Sequence, residues 1–101
     1  MDQSEIRKII QLFANRVESK YKNSKIFLFG SYAKGTNHEE SDIDIAVILN
    51  DFDDLINTQH ELMKIRREID SRIEPHPFRA ADFNESNPLA YEIMQHGIIV
   101  N

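Results

Sequence analysis

An α+β fold is predicted by three observations on this chain. Apolar residues recur at helical spacing in separate stretches, short apolar runs of strand length lie between them, and glycine, proline and asparagine mark the joins. The resulting order is helix, strand, strand, helix, strand, helix, strand. Ile6, Ile9, Ile10, Phe13, Ala14 and Val17 keep a helical period, with Ser4 placed to cap and Glu5 in the first turn, so the first helix spans about Ser4 to Lys20. Ile26-Phe27-Leu28-Phe29 is a short apolar run closed by glycine and reads as a buried strand. The polar stretch from Gly30 to Ser41 is a loop with room for one helical turn near Tyr32 to Lys34, and Asp42 to Leu49 is the second strand.

The second half is read in the same way. Asp53 or Asp54 caps a helix carrying Leu55, Ile56, Leu62, Ile65 and Ile69. Arg72 to Phe78 follows, where Pro75 and Pro77 remove two ladder donors and favour an edge or irregular strand. Asn87 and Pro88 form a cap and first helical position, with Leu89, Ile93 and Met94 facing inward and Gly97 as the stop. Ile98-Ile99-Val100 supplies a last short strand that either completes the sheet or pairs with another chain.

At 101 residues the chain is expected to be one domain, 1–101, able to bury a single modest core and too small for a second lobe. A bulky substrate must then be held partly by another molecule. The 41% hydrophobic and 29% charged fractions are those of a soluble globular protein. No apolar run reaches the length of a membrane span, and Met1-Asp2-Gln3-Ser4-Glu5 is neither basic nor apolar enough for a signal peptide, so no membrane partner and a cytoplasmic location are expected. With no cysteine, any metal must be held by oxygen or imidazole. The net charge of -5 argues against nucleic acid as a direct partner, because phosphate backbones are bound by neutralising lysines and arginines.

The chemistry concentrates at Gly30-Ser31 and, ten residues on, at Asp42-Ile43-Asp44. Side chains two apart on a strand share a face, so Asp42 and Asp44 have backbones about 6.6 Å apart and can converge on a metal pair, while Ile43, Ile45 and Val47 face the core. Two such charges roughly 5 Å apart repel by about 3 kcal/mol at an effective dielectric of 20, a penalty a divalent cation removes. Hard oxygen ligands select magnesium or manganese. Gly30 lets a phosphate approach the backbone, Ser31 adds a hydroxyl at the start of a helical turn, and Lys34 supplies a mobile positive charge, which together suit a nucleoside triphosphate arriving with its metal. A third carboxylate is expected from the strand beside the second, about 4.8 Å away, and Glu74 in Arg72-Ile73-Glu74-Pro75-His76 is the candidate, against the plainer reading of a solvated edge residue.

Phe27-Leu28-Phe29-Gly30-Ser31, the ten-residue spacer, and Asp42-Ile43-Asp44-Ile45-Ala46-Val47 together resemble the minimal nucleotidyltransferase family of the DNA polymerase beta superfamily. The resemblance implies a nucleotidyltransferase fold, a mixed sheet of three to four strands flanked by helices. It implies two magnesium ions held with substrate by Asp42, Asp44 and Glu74, triphosphate held at Gly30 and Ser31, and transfer of a nucleoside monophosphate to a hydroxyl with release of pyrophosphate. Stand-alone chains of this size resemble antitoxins whose partner is a helical HEPN-domain toxin, neutralised by adenylylation from ATP within a hetero-oligomer. Two alternatives stand beside this: a catalytic subunit that modifies RNA or a small molecule, and a non-catalytic antitoxin that neutralises by occlusion.

The remaining polar and aromatic residues have plainer roles. His38, His60, His76 and His96 share no metal spacing and read as surface or packing residues, with His76 alone able to face the site beside Glu74. Tyr32 reads as a turn aromatic packed on the sheet, and Phe78 and Phe83 as core. Asp51, Asp53 and Asp54 lack the glycine and terminal glutamate of an EF-hand and read as caps. Ser41 reads as a local hydrogen-bonding residue that orients the second strand.

Overall fold

The computed structural model describes residues 3–101; Met1 and Asp2, part of the stretch read against a signal peptide, lie outside the described residues. The elements are α1 (Gln3–Lys20), β1 (Lys25–Phe29), α2 (Ser31–Lys34), β2 (Ile43–Leu49), α3 (Leu55–Arg67), β3 (Ile73–Arg79), a single 3-10 turn (Ala80–Asp82), α4 (Pro88–His96) and β4 (Ile98–Ile99). The predicted order holds, and the helical turn foreseen in the loop is α2. Helix α1 already includes Gln3, so Ser4 sits inside the first turn and the capping position falls outside the described residues.

The sheet is mixed, with strand order β3-β2-β1-β4. Strand β1 is antiparallel to both β2 and β4, and β2 is parallel to β3. The Ile98-Ile99-Val100 tail therefore completes the sheet: Ile99 pairs with Phe27, and the Val100 N–H donates to the Ile26 carbonyl at 2.8 Å.

Two apolar clusters lie on the two faces, as alternation along each strand requires. Ile6, Ile10, Phe13, Ala14 and Val17 of α1 and Leu62 of α3 pack on Ile26, Ile43, Ile45, Val47, Leu49 and Ile73, with Tyr32 partly buried against them. On the other face Ala90 and Ile93 of α4 cover Phe29, Ala46, Ile48 and Phe78. Phe83 lies 5.3 Å from Phe78 and 5.5 Å from Phe27, ring centre to ring centre, so both expected core aromatics are core.

Local chemistry sets the helix starts. The Asp54 carboxylate accepts from the amides of Ile56 and Asn57, and the Asn87 side-chain Oδ1 accepts from those of Leu89 and Ala90, with Pro88 at the first helical position. The inward assignments of Leu89 and Met94 are corrected: both are exposed, as are Leu55 and Ile56, because α3 and α4 each bury a narrow stripe, Thr58 and Leu62 in one and Ala90 and Ile93 in the other.

Both sheet edges are blunted. Strand β4 has two residues, and β3 carries its prolines where they cost nothing. The Arg72 carbonyl accepts from the Ile43 amide, whereas the carbonyls of Ile73 and Pro75 point outward and accept from Arg66 and Gln59. Even-numbered residues of β3 thus bond to β2, and Pro75 and Pro77 turn their missing N–H groups to the open side. Among the described residues no helix is long and apolar enough to cross a membrane.

Ile45→Ala is expected to cost about 2–5 kcal/mol, because Ile45 is fully buried in the larger cluster, and Asp54→Ala about 1 kcal/mol through the lost cap. Urea denaturation of both variants checks the ranking.

Candidate functional site

Phe29, the last residue of β1, lies opposite Asp44 in the antiparallel pair. The chain must leave the sheet at once to start α2, and Gly30 makes the corner at φ 74, ψ -150, a region open essentially to glycine alone. Space makes the same demand. A Cβ on Gly30 would run into the Asp44 carboxylate. The turn and the acid are therefore in contact through the absence of a side chain.

Ser31 opens α2, whose first amides have no acceptor inside the helix. The turn is closed by bonds from the Lys34 amide to the Gly30 carbonyl at 3.1 Å and from the Thr36 amide to the Ser31 carbonyl at 3.0 Å, with Gly35 left-handed at φ 75. Lys34 does not stand free over this turn. Its ammonium lies 2.7 Å from Glu92 on α4, and that bond holds the Glu92 carboxyl below its ordinary range.

Strand β2 begins at Ile43, one residue later than the sequence suggests, so exposed Asp42 sits at its mouth while Asp44 lies within it, its side chain 28% exposed. The entry is pinned by Ser41, which is buried and accepts a 2.9 Å bond from the His38 amide. Glu74 is the register partner of Asp44 on parallel β3, which places both on one face of adjacent strands.

That register has its own clamp. The Asp70 carboxylate accepts from the Arg72 amide at 2.9 Å and from its guanidinium at 3.0 and 2.7 Å, while the Arg72 carbonyl takes the Ile43 amide at 2.8 Å. The hydrogen bond from the Arg72 side chain, the largest cause, lowers the Asp70 pKa against the opposing effect of burial.

His76 was read from sequence as a surface or packing residue with only a minor claim on the site; the structure puts it there. Its Nε2 stands 3.2 Å from Asp44 Oδ1, a donor to the carboxylate when it carries the proton, and its ring meets Phe29 edge-on at 4.9 Å. The signal was present, since His76 is two residues beyond Glu74 on the same strand face, but it required the β3 register. Among the described residues no three His, Asp or Glu side chains converge closely enough to hold an ion, so Asp42, Asp44 and Glu74 must swing together to share one. Their donor chemistry, hard oxygen beside a backbone turn without a side chain, fits a hard divalent cation.

The chain is similar to known proteins. The family model described as "Polymerase beta, Nucleotidyltransferase" matches residues 7–101. The protein adenylyltransferase MntA of Shewanella oneidensis is 35% identical over 97 residues, which cover 96% of this chain and 65% of that protein. The chain spans between 44% and 65% of the lengths of the curated relatives it matches. A crystal structure of a toxin-antitoxin with AMP-PNP superimposes with a TM-score of 0.66 at 29% identity, covering 100% of this chain and 73% of that one. A structure of a tri-AMPylated Shewanella oneidensis HEPN toxin in complex with MNT antitoxin does so with a TM-score of 0.62 at 29% identity, covering 100% and 72%.

Gly30→Ala is expected to destabilise the protein by about 1–3 kcal/mol, and Gly35→Ala by about 1 kcal/mol, since a Cβ at Gly35 meets nothing within 4 Å. Urea midpoints of the two variants check this. Asp70→Asn is expected to be less stable than the parent at neutral pH. Because the folded pKa of Asp70 is depressed, its contribution is full above the ordinary aspartate value and is lost as pH falls through the folded value. The two stability curves should therefore merge in acid.

Proposed function

The chain belongs to the polymerase beta nucleotidyltransferase family, and on that premise we propose that it transfers AMP from ATP to a hydroxyl of a partner HEPN-type toxin protein, as an antitoxin in a hetero-oligomer. The observation that carries this reading is the contact of the Gly30 corner with Asp44 while Asp44 stands in register with Glu74. The elements suited to a polyphosphate and the acids suited to its metals thereby meet at one end of one sheet. The relatives suggest the acceptor class: one is a protein adenylyltransferase, and one solved structure holds an AMPylated HEPN toxin with an MNT antitoxin.

In the reaction an acceptor hydroxyl oxygen forms a bond to the α-phosphorus of ATP, the bond from that phosphorus to the bridging oxygen breaks, pyrophosphate leaves and the hydroxyl proton is released. Gly30 gives the triphosphate access to the backbone, and Ser31 donates its hydroxyl with the first amides of α2. Lys34 reaches the phosphates by exchanging its Glu92 partner for them. Asp42, Asp44 and Glu74 are the residues that would hold magnesium, two ions with substrate, or manganese in its place. An ion held by these carboxylates would supply neutralisation of the phosphoryl oxygens and a lower cost for ionising the acceptor hydroxyl. His76 holds the Asp44 carboxylate in place within the sheet face. One domain, 1–101, carries all of these groups.

Incubation with magnesium, labelled ATP and a HEPN-type partner protein tests the reading. Label on that protein supports it; label on RNA or a small molecule, or a stable unlabelled complex that survives Asp42→Asn and Asp44→Asn, overturns it. Asp44→Asn is expected to abolish transfer with folding retained, because Asp44 lies at the open end of the sheet. Ser31→Ala is expected to weaken AMP-PNP binding by about 1 kcal/mol through one lost hydrogen bond to a charged acceptor, measurable by calorimetry.

A further inference from the structure

The open edge of β3 carries a groove that leads away from the site the reaction uses. It begins at Glu74 and His76, runs over Pro75 and Pro77, and encloses about 470 Å³. A second hollow of about 570 Å³ continues it to Arg79. Leu55 and Ile56 reach it from α3 and Leu89 from α4, and they are 52%, 67% and 40% exposed. A single exposed leucine is ordinary, but three large apolar side chains converging on one groove from two helices make a contact surface.

The backbone of this edge is closed to a further strand. Pro75 and Pro77 have no N–H to offer, and the carbonyls of Ile73 and Pro75 already accept from Arg66 and Gln59. An occupant is therefore held by side-chain packing rather than by ladder bonds. Sheet order tells which occupant. The Gly30–Ser31 turn lies on the β1 side of Asp44, and the groove opens on the β3 side. Displacement at phosphorus runs in line, with attacking and leaving oxygens on opposite sides. If the pyrophosphate end of ATP lies over α2, the attacking hydroxyl enters from β3.

We propose that this groove seats the segment of the acceptor protein that carries the modified hydroxyl, an apolar stretch lying along β3 with its hydroxyl residue at the Glu74 end. The assignment rests on the adenylyl-transfer reading above. From Glu74 to Arg79 the strand advances about 16 Å, enough for roughly five extended residues of a partner.

Calorimetric titration of a HEPN-domain acceptor protein into the parent, Ile56→Glu and Leu89→Glu tests it. Both positions lie in the first turn of a helix, where a carboxylate suits the dipole, so the variants are expected to fold. Each should weaken binding of the HEPN-domain protein by about tenfold or more and raise its KM, with AMP-PNP affinity unchanged. Unchanged binding in both variants overturns the proposal, as does a parent dimer that the substitutions dissolve, which would assign the groove to a second copy. A parent that transfers AMP to the HEPN-domain protein while both variants bind it normally sinks the groove alone. A parent that binds through the groove and transfers to no acceptor sinks the transfer reading and keeps the docking surface.

Discussion

The rest of the site depends on how closely the backbone at Gly30 approaches the Asp44 carboxylate. Strand β1 must end where β2 begins, because Phe29 is paired with Asp44, and the chain must turn out of the sheet in a single residue. Only a residue that tolerates φ 74 and lacks a Cβ can do both. Once that corner is made, α2 starts beside the acid, and the spacer from Gly35 to Ser41 has only to return the chain to the mouth of β2. The approach is also what a phosphate needs, since a backbone that admits a neighbouring carboxylate also admits the oxygens of a ligand.

The sheet tolerates these carboxylates because its two faces are unequally covered. Helices α1 and α3 bury one face with a large aliphatic cluster, and Ile43, Ile45 and Ile73 are fully buried there. Among the described residues the other face is covered by the nine-residue α4 and by aromatic contacts among Phe27, Phe78 and Phe83. Asp44 and Glu74 occupy the uncovered end of that thinner face. They keep partial contact with water, so the desolvation that penalises a fully buried carboxylate is avoided. Parallel pairing of β2 with β3 adds the second acid at one strand's distance, and the Asp70–Arg72 clamp at the head of β3 keeps the two in register.

Much of this was legible from local chemistry. The period of Ile6, Ile10, Phe13 and Val17 marked α1, and the caps at Asp53 or Asp54, of which the structure uses Asp54, and at Asn87 marked the starts of α3 and α4, because each depends on residues within one turn. Glu74 was reached from alternation along its own strand, and the structure places it beside Asp44. His76 needed more than alternation. Its bond to Asp44 exists because Ala46 pairs with His76, a relation between residues 30 apart in sequence that no local pattern encodes. Lys34 was assigned to the phosphates on proximity to Ser31, and its ion pair with Glu92 became visible only once α4 was folded over that face. Leu89 and Met94 were assigned inward on apolar character, which records what a side chain prefers and not whether a neighbour is there to cover it.

The sequence by itself determined the elements, the glycine corner and the acids at the entry to β2, because backbone conformation and strand alternation act over a few residues. Tertiary structure alone decided that β3 lies parallel to β2 with Glu74 level with Asp44, that His76 and Glu92 engage the site's own charges, and that the β3 edge stays open. Those outcomes depend on packing between distant segments, where the outward turn of Pro75 and Pro77 and the hold of Asp70 on Arg72 select one register among several that the strand patterns allow.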